Sequence, residues 1–332
     1  MTQTAPRVVT SAANERFRRL LALAGSARER ARAGVVVLEG AHLLQAWDER
    51  YGREAGPVEI FVARRGAGDP EIAPWLSRYP ASAVVLDDRL YDRASGVEHG
   101  SGPLAIVPRP RSTLPARIDC DAVYLDRVQD PGNVGSVLRS CAAVGVRHVF
   151  CAPGTASCWS PKVLRAAMGA HFHLELHEGI DADELLSRCR IALRATDAVA
   201  ADSLYDADLR APSLWLLGNE GQGLEAKLRR AAHRVSIPQT DAVESLNVGV
   251  AAALCLYEQW RQRRFAGRGV RRLGRDAGPA TGLDPAPDPG RNADPATEDR
   301  ARAGSSSRSP RSTSSSRKGS GSPRGASAPR PL

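Results

Sequence analysis

Between Asp119 and Gln262, short apolar segments alternate with helix-forming segments, and this alternation limits the possible fold more than any other feature of the chain. The apolar segments are almost uninterrupted by polar residues, as is typical of strands covered on both faces. Parallel strands need a long connection, which the helix-forming segments can supply. The region therefore predicts an α/β domain built on a mainly parallel sheet.

The elements predicted in this region are six strands, four helices between them and one last helix. The strands are Ala122–Leu125, His148–Cys151, Phe172–Leu176, Ile191–Thr196, Leu214–Leu217 and Val235–Ile237. The helices are Val134–Val144, Pro161–Met168, Ala182–Cys189, Leu224–Ala232 and Ser245–Arg261.

Residues 1–110 repeat the alternation on a smaller scale and predict a second, smaller α/β domain. Its predicted helices are Asn14–Leu23, His42–Arg50, Pro70–Tyr79 and Arg89–Ala94, and its predicted strands are Val35–Leu38, Val58–Val62, Val84–Leu86 and Leu104–Val107. The beginning of this region is locally basic, with Arg16, Arg18, Arg19, Arg28, Arg30 and Arg32. The proline-rich segment that follows predicts a linker over residues 111–118, which places the larger α/β domain over residues 119–262.

Residues 263–332 consist mainly of Pro, Gly, Ser, Arg and Asp, so they are predicted to be disordered. Residues 261–332 contain 16 Lys and Arg against 6 Asp and Glu, a net charge of +10, whereas the whole chain carries +9. Residues 1–260 therefore carry −1. The basic excess, which is typical of nucleic-acid-binding proteins, lies in the tail. The tail can attract RNA without regard to sequence, or it can be a solvated segment without function.

Other features of the composition narrow the class of protein. No apolar run approaches the roughly 18 residues of a membrane helix, and residues 1–10 lack the apolar core of a signal peptide. We therefore expect a cytoplasmic protein. The cysteines form no C-x-x-C pair and have no histidines at metal spacing, so we expect buried, reduced thiols and no metal. They are Cys120, Cys141, Cys151, Cys158, Cys189 and Cys255.

Three polar segments each follow a predicted strand, where α/β proteins bind ligands. In the first, the turn at residues 130–132 leads to Asn133, which suits a helix N-cap, and to Arg139 further along the helix. In the second, the three glycines of Gly218–Gly223 let the backbone approach a ligand, without the G-x-G-x-x-G pattern of a dinucleotide site. By itself, Asn133 can be only a cap, Arg139 only a surface residue and the glycine segment only a turn.

The third polar segment leaves a strand at Pro238 and enters an apolar helix at Ser245. Ser245 can be only an N-cap. Asn247, however, falls in the first turn of a helix made otherwise of Val, Ala, Leu and Cys, and a polar amide there needs a hydrogen-bond partner.

In this order and spacing, the three segments resemble the motifs of the SpoU-type (TrmH-like) RNA ribose 2′-O-methyltransferases of the knotted SPOUT class. Asp130-Pro-x-Asn133-x-Gly135-x-x-x-Arg139 is similar to the first motif, Gly218-x-Glu220-x-x-Gly223 to the second, and Ile237-Pro238 with Glu244-Ser-Leu-Asn-Val to the third. Gln239-Thr240 stands where the family commonly has Met and Gly, and Gly249 where it commonly has a second Ser. Residues 8–107, with Glu39-Gly40 after a strand, resemble the family's L30e-like substrate-binding domain.

The resemblance implies a trefoil-knotted SPOUT domain preceded by a smaller L30e-like α/β domain, and S-adenosylmethionine as methyl donor, with S-adenosylhomocysteine as product. The residues that it implies for cofactor binding are Leu217, Gly218, Gly223, Ile237, Pro238 and Leu246. Those that it implies for catalysis are Asn133, Arg139, Glu220, Ser245 and Asn247. The residues that we expect to bind RNA are Arg16, Arg18, Arg19 and Arg139.

Each catalytic residue is expected to have a distinct role. The family assigns the central role to the position of Arg139. An arginine is effectively always protonated, so we expect Arg139 to clamp a phosphate and stabilise the developing alkoxide. A role of Arg139 as base stays open. Asn133 and Asn247 would orient the donor, the ribose or Arg139. Glu220 would orient Arg139 or take the proton through water, and Ser245 would hold the hydroxyl or the loop.

The resemblance also implies a homodimer, which the last helix could form through Leu254, Tyr257 and Trp260, although these residues can equally be core. We favour ribosomal RNA as the substrate because of the L30e-like domain. The alternatives are a transfer RNA ribose methyltransferase, a knotted methyltransferase acting on a base nitrogen, and an inactive RNA-binding or ribosome-associated protein. A Rossmann oxidoreductase is disfavoured by the missing phosphate fingerprint.

Overall fold

Two β-sheets, each flanked by helices, make up the part of the protein that the computed structural model describes, which is residues 7–52, 55–97, 100 and 102–265. We call residues 7–108 the N-lobe and residues 118–265 the C-lobe. In the described residues, every helix is too short or too polar to cross a bilayer. The predicted disordered tail lies outside the described residues, apart from its first three positions.

The N-lobe has a five-stranded mixed sheet in the order β1-β4-β3-β5-β2, in which β5 runs antiparallel to β2 and β3. The strands are β1 (Arg7–Val9), β2 (Val35–Glu39), β3 (Glu59–Ala63), β4 (Ala83–Leu86) and β5 (Leu104–Pro108). The helices are α1 (Glu15–Gly25), α2 (Ala27–Ala33), α3 (Ala41–Tyr51), α4 (Ala73–Arg78) and α5 (Asp88–Ala94). The small α/β layer expected from the alternation is confirmed, and β1 adds a strand that the sequence pattern did not predict.

The C-lobe has a six-stranded sheet in the order β11-β9-β10-β6-β7-β8, and every neighbouring pair is parallel. The strands are β6 (Ala122–Leu125), β7 (His148–Cys151), β8 (Glu175–Glu178), β9 (Ala192–Thr196), β10 (Ser213–Leu217) and β11 (His233–Val235). The helices are α6 (Pro131–Val144), α7 (Pro161–Ala167), α8 (Ala182–Arg188), α9 (Ala226–Ala231) and α10 (Val248–Arg264). This confirms the mainly parallel sheet.

The predicted strand at Phe172–Leu176 is wrong over its first half. Ala170–His173 is a short 3₁₀ helix, and the strand runs from Glu175 to Glu178. The apolar side chain of Phe172 packs edge-on against Tyr51 of α3, with ring centroids 6.2 Å apart. The apolar side chain of Phe172 therefore serves the contact between the lobes rather than the sheet.

The helix starts also differ from the prediction, because other residues cap the helices. Asp130 is the N-cap of α6, since its side chain accepts a hydrogen bond from the backbone N–H of Asn133 at 2.8 Å. Asn247, rather than Ser245, caps α10, accepting from the backbone N–H groups of Gly249 at 2.9 Å and Val250 at 3.3 Å. Asn133 therefore lies inside its helix, with its amide free for other contacts, and Ser245 lies in a loop.

The end of the last helix and the bounds of the last strand also differ from the prediction. Helix α10 continues to Arg264, past the predicted domain end at Gln262, and Arg263 forms an ion pair with Asp121. The strand predicted at Val235–Ile237 is His233–Val235, which leaves Ile237 in the following loop.

The segment predicted as a linker contacts the C-lobe. The Ser112 hydroxyl accepts a hydrogen bond from the backbone N–H of Leu176 at 3.0 Å, and Ile118 is buried in an isolated parallel bridge with Cys189. On either side of it, the lobes are joined by a hydrophobic cluster that includes residues of both. An ion pair between Glu39 and Arg165, at 2.6 Å, also connects them.

All six cysteines are free thiols, as expected. Four are buried, and burial raises the pKa of Cys141 to about 12. The expectation of burial is wrong for Cys120, which is exposed in the loop before β6, and holds only partly for Cys189.

The motif glycine Gly135 lies where α6 crosses α7, and a Cβ atom there would be 2.3 Å from the Cβ of Ala166. We expect Gly135→Ala to lower the free energy of unfolding by about 1–3 kcal/mol through overpacking, as measured by urea denaturation. Gly25→Ala is the matched control, because a Cβ at the end of α1 meets no atom within 4 Å. Equal stability of the two variants would contradict the close approach.

Candidate active site

The three polar segments meet at the carboxyl edge of the C-lobe sheet. Strand β10 lies between β6 and β9, so the loops that follow β6 and β10 are direct neighbours. The chain after β11 returns to the same edge before α10 begins at Val248. The predicted convergence of the segments is thus a consequence of strand order.

Asp126, at the end of β6, ties the first two loops together. It is 1% exposed, and its backbone N–H donates to the carbonyl of Leu217 at 2.8 Å. Its carboxylate accepts from the backbone N–H of Glu225 at 2.7 Å and from Nε of Arg127 at 2.8 Å. Asp126 was not among the predicted site residues, although an Asp directly after a buried strand of an α/β sheet indicates a residue at the ligand-binding edge.

The second loop closes on itself so tightly that Gly218 has to be glycine. A Cβ atom at Gly218 would lie 2.5 Å from the carbonyl carbon of Gly223 and 2.6 Å from the backbone nitrogen of Leu224. Two backbone hydrogen bonds between Asn219 and Gly223 hold the turn, and Gly223 adopts a φ of +66°. The Asn219 side chain also donates to the carbonyl of Arg127 at 2.8 Å, which binds this turn to the first loop.

A chain of side-chain hydrogen bonds joins one residue from each motif. Nδ2 of Asn247 donates to Oδ1 of Asn133 at 2.8 Å, and Nδ2 of Asn133 donates to Oε1 of Glu220 at 3.0 Å. Three of the five predicted catalytic residues are therefore in direct contact. Asn247 has the hydrogen-bond partner that its position in an apolar helix called for.

Glu220 is held as a carboxylate. Partial burial raises its pKa, but hydrogen bonds from Asn133 and from backbone N–H groups, including those of Gln129 and Asp130, bring the pKa below its usual range. Those two backbone bonds are 3.2 and 3.3 Å long. A carboxylate engaged in this way is a weak base, so the contacts favour an orienting role for Glu220 over proton transfer.

The other two predicted catalytic residues lie apart from this network. Arg139 is exposed on α6, and six residues along a helix place it about 240° around the axis from Asn133. In the described part of the chain, no hydrogen bond joins Arg139 to Asn133, Glu220 or Asn247. Ser245 is exposed in the loop before α10 and lines the neighbouring cleft.

A cleft of about 380 Å³ lies between the second and third motifs, within the usual range for small-molecule sites. Apolar side chains of Leu224, Val248 and Ala251 line it and suit a flat aromatic ring, while the hydroxyls of Thr196 and Ser245 suit polar groups of a ribose. Its lining therefore fits a ligand that contains a nucleoside.

The predicted cofactor residues divide into two groups. Gly218, Gly223 and Leu246 line the 380 Å³ cleft, and Ile237 lines an adjoining cleft of about 140 Å³ with Leu246. Leu217 and Pro238 are not among the residues that line either cleft. The side chain of Leu217 is in the core, 2% exposed.

The two departures from the family motifs have local structural roles. Nε2 of Gln239 donates to the carbonyls of Val243 at 3.1 Å and Glu244 at 3.3 Å, and so closes the third loop on itself. At Gly249, a Cβ atom would lie 3.3 Å from the Cβ of Ser136, where α10 passes α6. The glycine therefore suits a close helix crossing.

The predicted basic patch of the N-lobe is smaller than its sequence suggests. Arg16 and Arg19 share the carboxylate of Glu59, at 3.3 and 3.1 Å, and Glu59 is 5% exposed. Arg30 is buried and donates to the carbonyl of Leu23 at 2.8 Å. Arg18 remains exposed.

Comparison with known proteins bears on the same region. Residues 122–257 match the model of the SpoU rRNA Methylase family. An uncharacterised tRNA/rRNA methyltransferase of Synechocystis sp. is 32% identical over 264 residues, which are 77% of this chain and 94% of the relative. The 23S rRNA (uridine(2479)-2′-O)-methyltransferase of Streptomyces viridochromogenes is 30% identical over 277 residues, with coverages of 78% and 93%.

A solved structure extends the likeness to three dimensions. The crystal structure of the SpoU methyltransferase AviRb from Streptomyces viridochromogenes, in complex with AdoMet, has a TM-score of 0.66 to this chain at 28% identity. The match covers 76% of this chain and 100% of that one, so it includes both lobes.

The lowered pKa of Glu220 can be measured by following its carboxyl carbon in an NMR pH titration. We expect Asn133→Ala to raise this pKa, because it removes one of the hydrogen bonds that favour the carboxylate. In the native protein, a folded-state pKa below the unfolded value stabilises the fold at neutral pH, and this contribution is lost as pH falls through the folded-state pKa.

The control for this titration is Asn14→Ala, which removes the cap of the distant helix α1. It should leave the pKa of Glu220 unchanged. An identical shift in both variants would show that Asn133 is not the cause.

Proposed function

Because the chain belongs to the SpoU rRNA methylase family, we propose that it is an enzyme that transfers a methyl group from S-adenosylmethionine to a ribose 2′-hydroxyl of ribosomal RNA. The observation that carries the proposal is the hydrogen-bonded series Asn247–Asn133–Glu220 beside a cleft of nucleoside size. The relatives support the reaction, since one is a 23S rRNA ribose methyltransferase and a solved neighbour binds AdoMet.

The cofactor fits the cleft between the second and third motifs. Gly218, Gly223 and Leu246 would hold it there, with Ile237 in the adjoining cleft. When bound, S-adenosylmethionine supplies a methyl group from its sulfonium. Loss of this methyl group leaves a neutral thioether, so no leaving-group acid is needed. The protein has to align the ribose and assist a weak nucleophile.

The polar network performs the alignment. The carboxylate of Glu220 fixes the amide of Asn133, and Asn133 in turn accepts from Asn247. Each amide nitrogen has a second N–H that this network does not use. These N–H groups can orient the ribose, while Ser245, at the rim of the cleft, contacts its hydroxyl.

We assign the stabilisation of negative charge during methyl transfer to Arg139. Its guanidinium remains protonated and is suited to clamp a phosphate and to stabilise negative charge on the attacking oxygen. The N-lobe, which resembles an L30e-like domain, would select the RNA, with the exposed Arg18 as its main contact and with Arg16 and Arg19, which are paired with Glu59, beside it. The basic tail would add attraction without sequence preference. We propose that the enzyme acts in the cytoplasm.

The proposal is tested by incubating the protein with tritiated S-adenosylmethionine and either ribosomal or transfer RNA, followed by alkaline hydrolysis. A methylated 2′-oxygen cannot attack the adjacent phosphate, so we expect label in alkali-resistant dinucleotides from ribosomal RNA. Label in mononucleotides would indicate base methylation, and label from transfer RNA alone would refute the substrate. No transfer to either RNA would favour an inactive RNA-binding protein.

We expect Arg139→Ala to slow methyl transfer by about 100- to 1,000-fold, the usual loss when a group that stabilises developing charge is removed. Binding of S-adenosylhomocysteine, measured by isothermal titration calorimetry, should be unchanged. Arg147→Ala, at the opposite edge of the sheet, is the control and should retain activity. Near-native transfer by the Arg139 variant would refute its assignment.

We also propose that the protein is a homodimer that associates through α10. Leu254, Tyr257 and Trp260 line an apolar groove of about 400 Å³, and Tyr257 and Trp260 are 48% and 38% exposed. A contiguous apolar surface of this kind typically marks a protein interface. The exposure of Tyr257 and Trp260 supports an interface over a role in the core, whereas Leu254 also packs against the core.

For the dimer, we expect light scattering to give twice the chain mass for the native protein and one chain mass for Tyr257→Glu, because a charge cannot be buried without a partner. Val199→Glu is the control, since Val199 is 82% exposed and not part of the groove. A monomeric native protein, or a dimeric Tyr257 variant, would refute the interface.

A further inference from the structure

A chamber of about 280 Å³ lies beside the cofactor cleft, and Gly223 is the one predicted site residue in its lining. It shares Thr196, Gly223 and Leu224 with the 380 Å³ cleft, so the two adjoin. Arg229 of α9 and Arg234 of β11 line its wall. Neither arginine has a role in the proposed transfer of the methyl group.

Both arginines are positioned by one carboxylate, that of Asp197 at the end of β9. Nη1 of Arg234 donates to Oδ2 of Asp197 at 2.8 Å, and Nη2 of Arg229 lies 3.5 Å from the same oxygen. The backbone N–H of Val199 donates to the other oxygen at 3.2 Å. Partial burial raises the pKa of Asp197, but these hydrogen bonds and charges bring it below its usual range. Asp197 is therefore ionised.

The cluster has an excess of positive charge and of donors. Two guanidinium groups share one carboxylate, and each has several N–H donors in a planar fork. The carboxylate cannot occupy them all, and Arg229 and Arg234 are still 57% and 42% exposed. Planar forks of this kind match the oxygens of a phosphate. The cluster has the composition of an anion site whose arginines are already oriented.

We propose that Arg229 and Arg234, positioned by Asp197, bind an RNA phosphate adjacent to the nucleotide that is methylated. The proposal rests on the proposed function and adds a substrate contact in the C-lobe. Every ribose in an RNA strand is flanked by phosphates, so a strand whose ribose lies at the rim of the cofactor cleft brings a phosphate towards the adjoining chamber. Residues 1–260 carry a net charge of −1, so attraction at this edge has to come from local clusters.

The test measures binding of a ribosomal RNA fragment to the full chain by fluorescence anisotropy at several salt concentrations. We expect Arg229→Ala and Arg234→Ala each to raise the Kd about tenfold, as for loss of one charged hydrogen bond. Each should also reduce the salt slope by about 1. Arg230→Ala, the neighbour on α9 that does not line the chamber, is the control and should behave like the native protein.

Two further measurements distinguish a phosphate contact from a folding defect and from a cofactor contact. Arg234→Lys keeps the charge and should keep the salt slope, whereas a misfolded variant would lose it. Binding of S-adenosylhomocysteine should be unchanged in every variant, and weaker binding would assign the chamber to the cofactor and overturn the proposal. Unchanged RNA affinity in both alanine variants would overturn it as well.

The outcomes also distinguish the chamber from the proposed function. If the native protein transfers no methyl group but its RNA binding depends on Arg229 and Arg234, the phosphate contact stands and the enzymatic function fails. If methyl transfer occurs and the alanine variants bind RNA normally, the function stands and the chamber fails.

Discussion

The buried carboxylate of Asp126 is the constraint on which the candidate active site depends. An isolated charge in a protein interior costs several kcal/mol unless it is paired and hydrogen-bonded. Asp126 meets this requirement through Arg127 and the backbone N–H of Glu225, which belong to different loops. Satisfying that charge therefore fixes the loop after β6 against the loop after β10. Glu220 lies on the second of these loops, and Asn133 lies in the first turn of α6, which follows the first loop, so their contact follows from this.

Much of the fold could be predicted from the sequence because several strands are buried on both faces. Segments such as Ala122–Leu125 and His148–Cys151 are then nearly pure apolar runs, and their predicted bounds match the structure. The errors arise where an apolar or polar residue serves a distant partner. Phe172 contacts Tyr51 of the other lobe. The local sequence also does not reveal whether Ser245 or Asn247 is the N-cap of α10.

Some residues of the candidate site could be predicted from the sequence, but the hydrogen bonds among them could not. Motif spacing identified Asn133, Glu220 and Asn247, yet the bonds among them join residues 87 and 114 positions apart. Asp126 and Asp197 were missed because their importance lies in what they bind. The N-lobe arginines show the converse, since Arg16 and Arg19 form a basic cluster in the sequence but share Glu59 in the fold. Counting charges along a chain does not reveal which of them are already paired.

The packing of the lobes against each other has a consequence for how a target is chosen. The hydrophobic cluster that spans both lobes, together with the Glu39–Arg165 ion pair, leaves little freedom for one lobe to rotate against the other. The separation between any RNA contact on the N-lobe and the carboxyl edge of the C-lobe sheet is then a fixed length. In the proposed function, an RNA bound to the N-lobe would therefore present only the nucleotide that lies at this fixed distance from the contact.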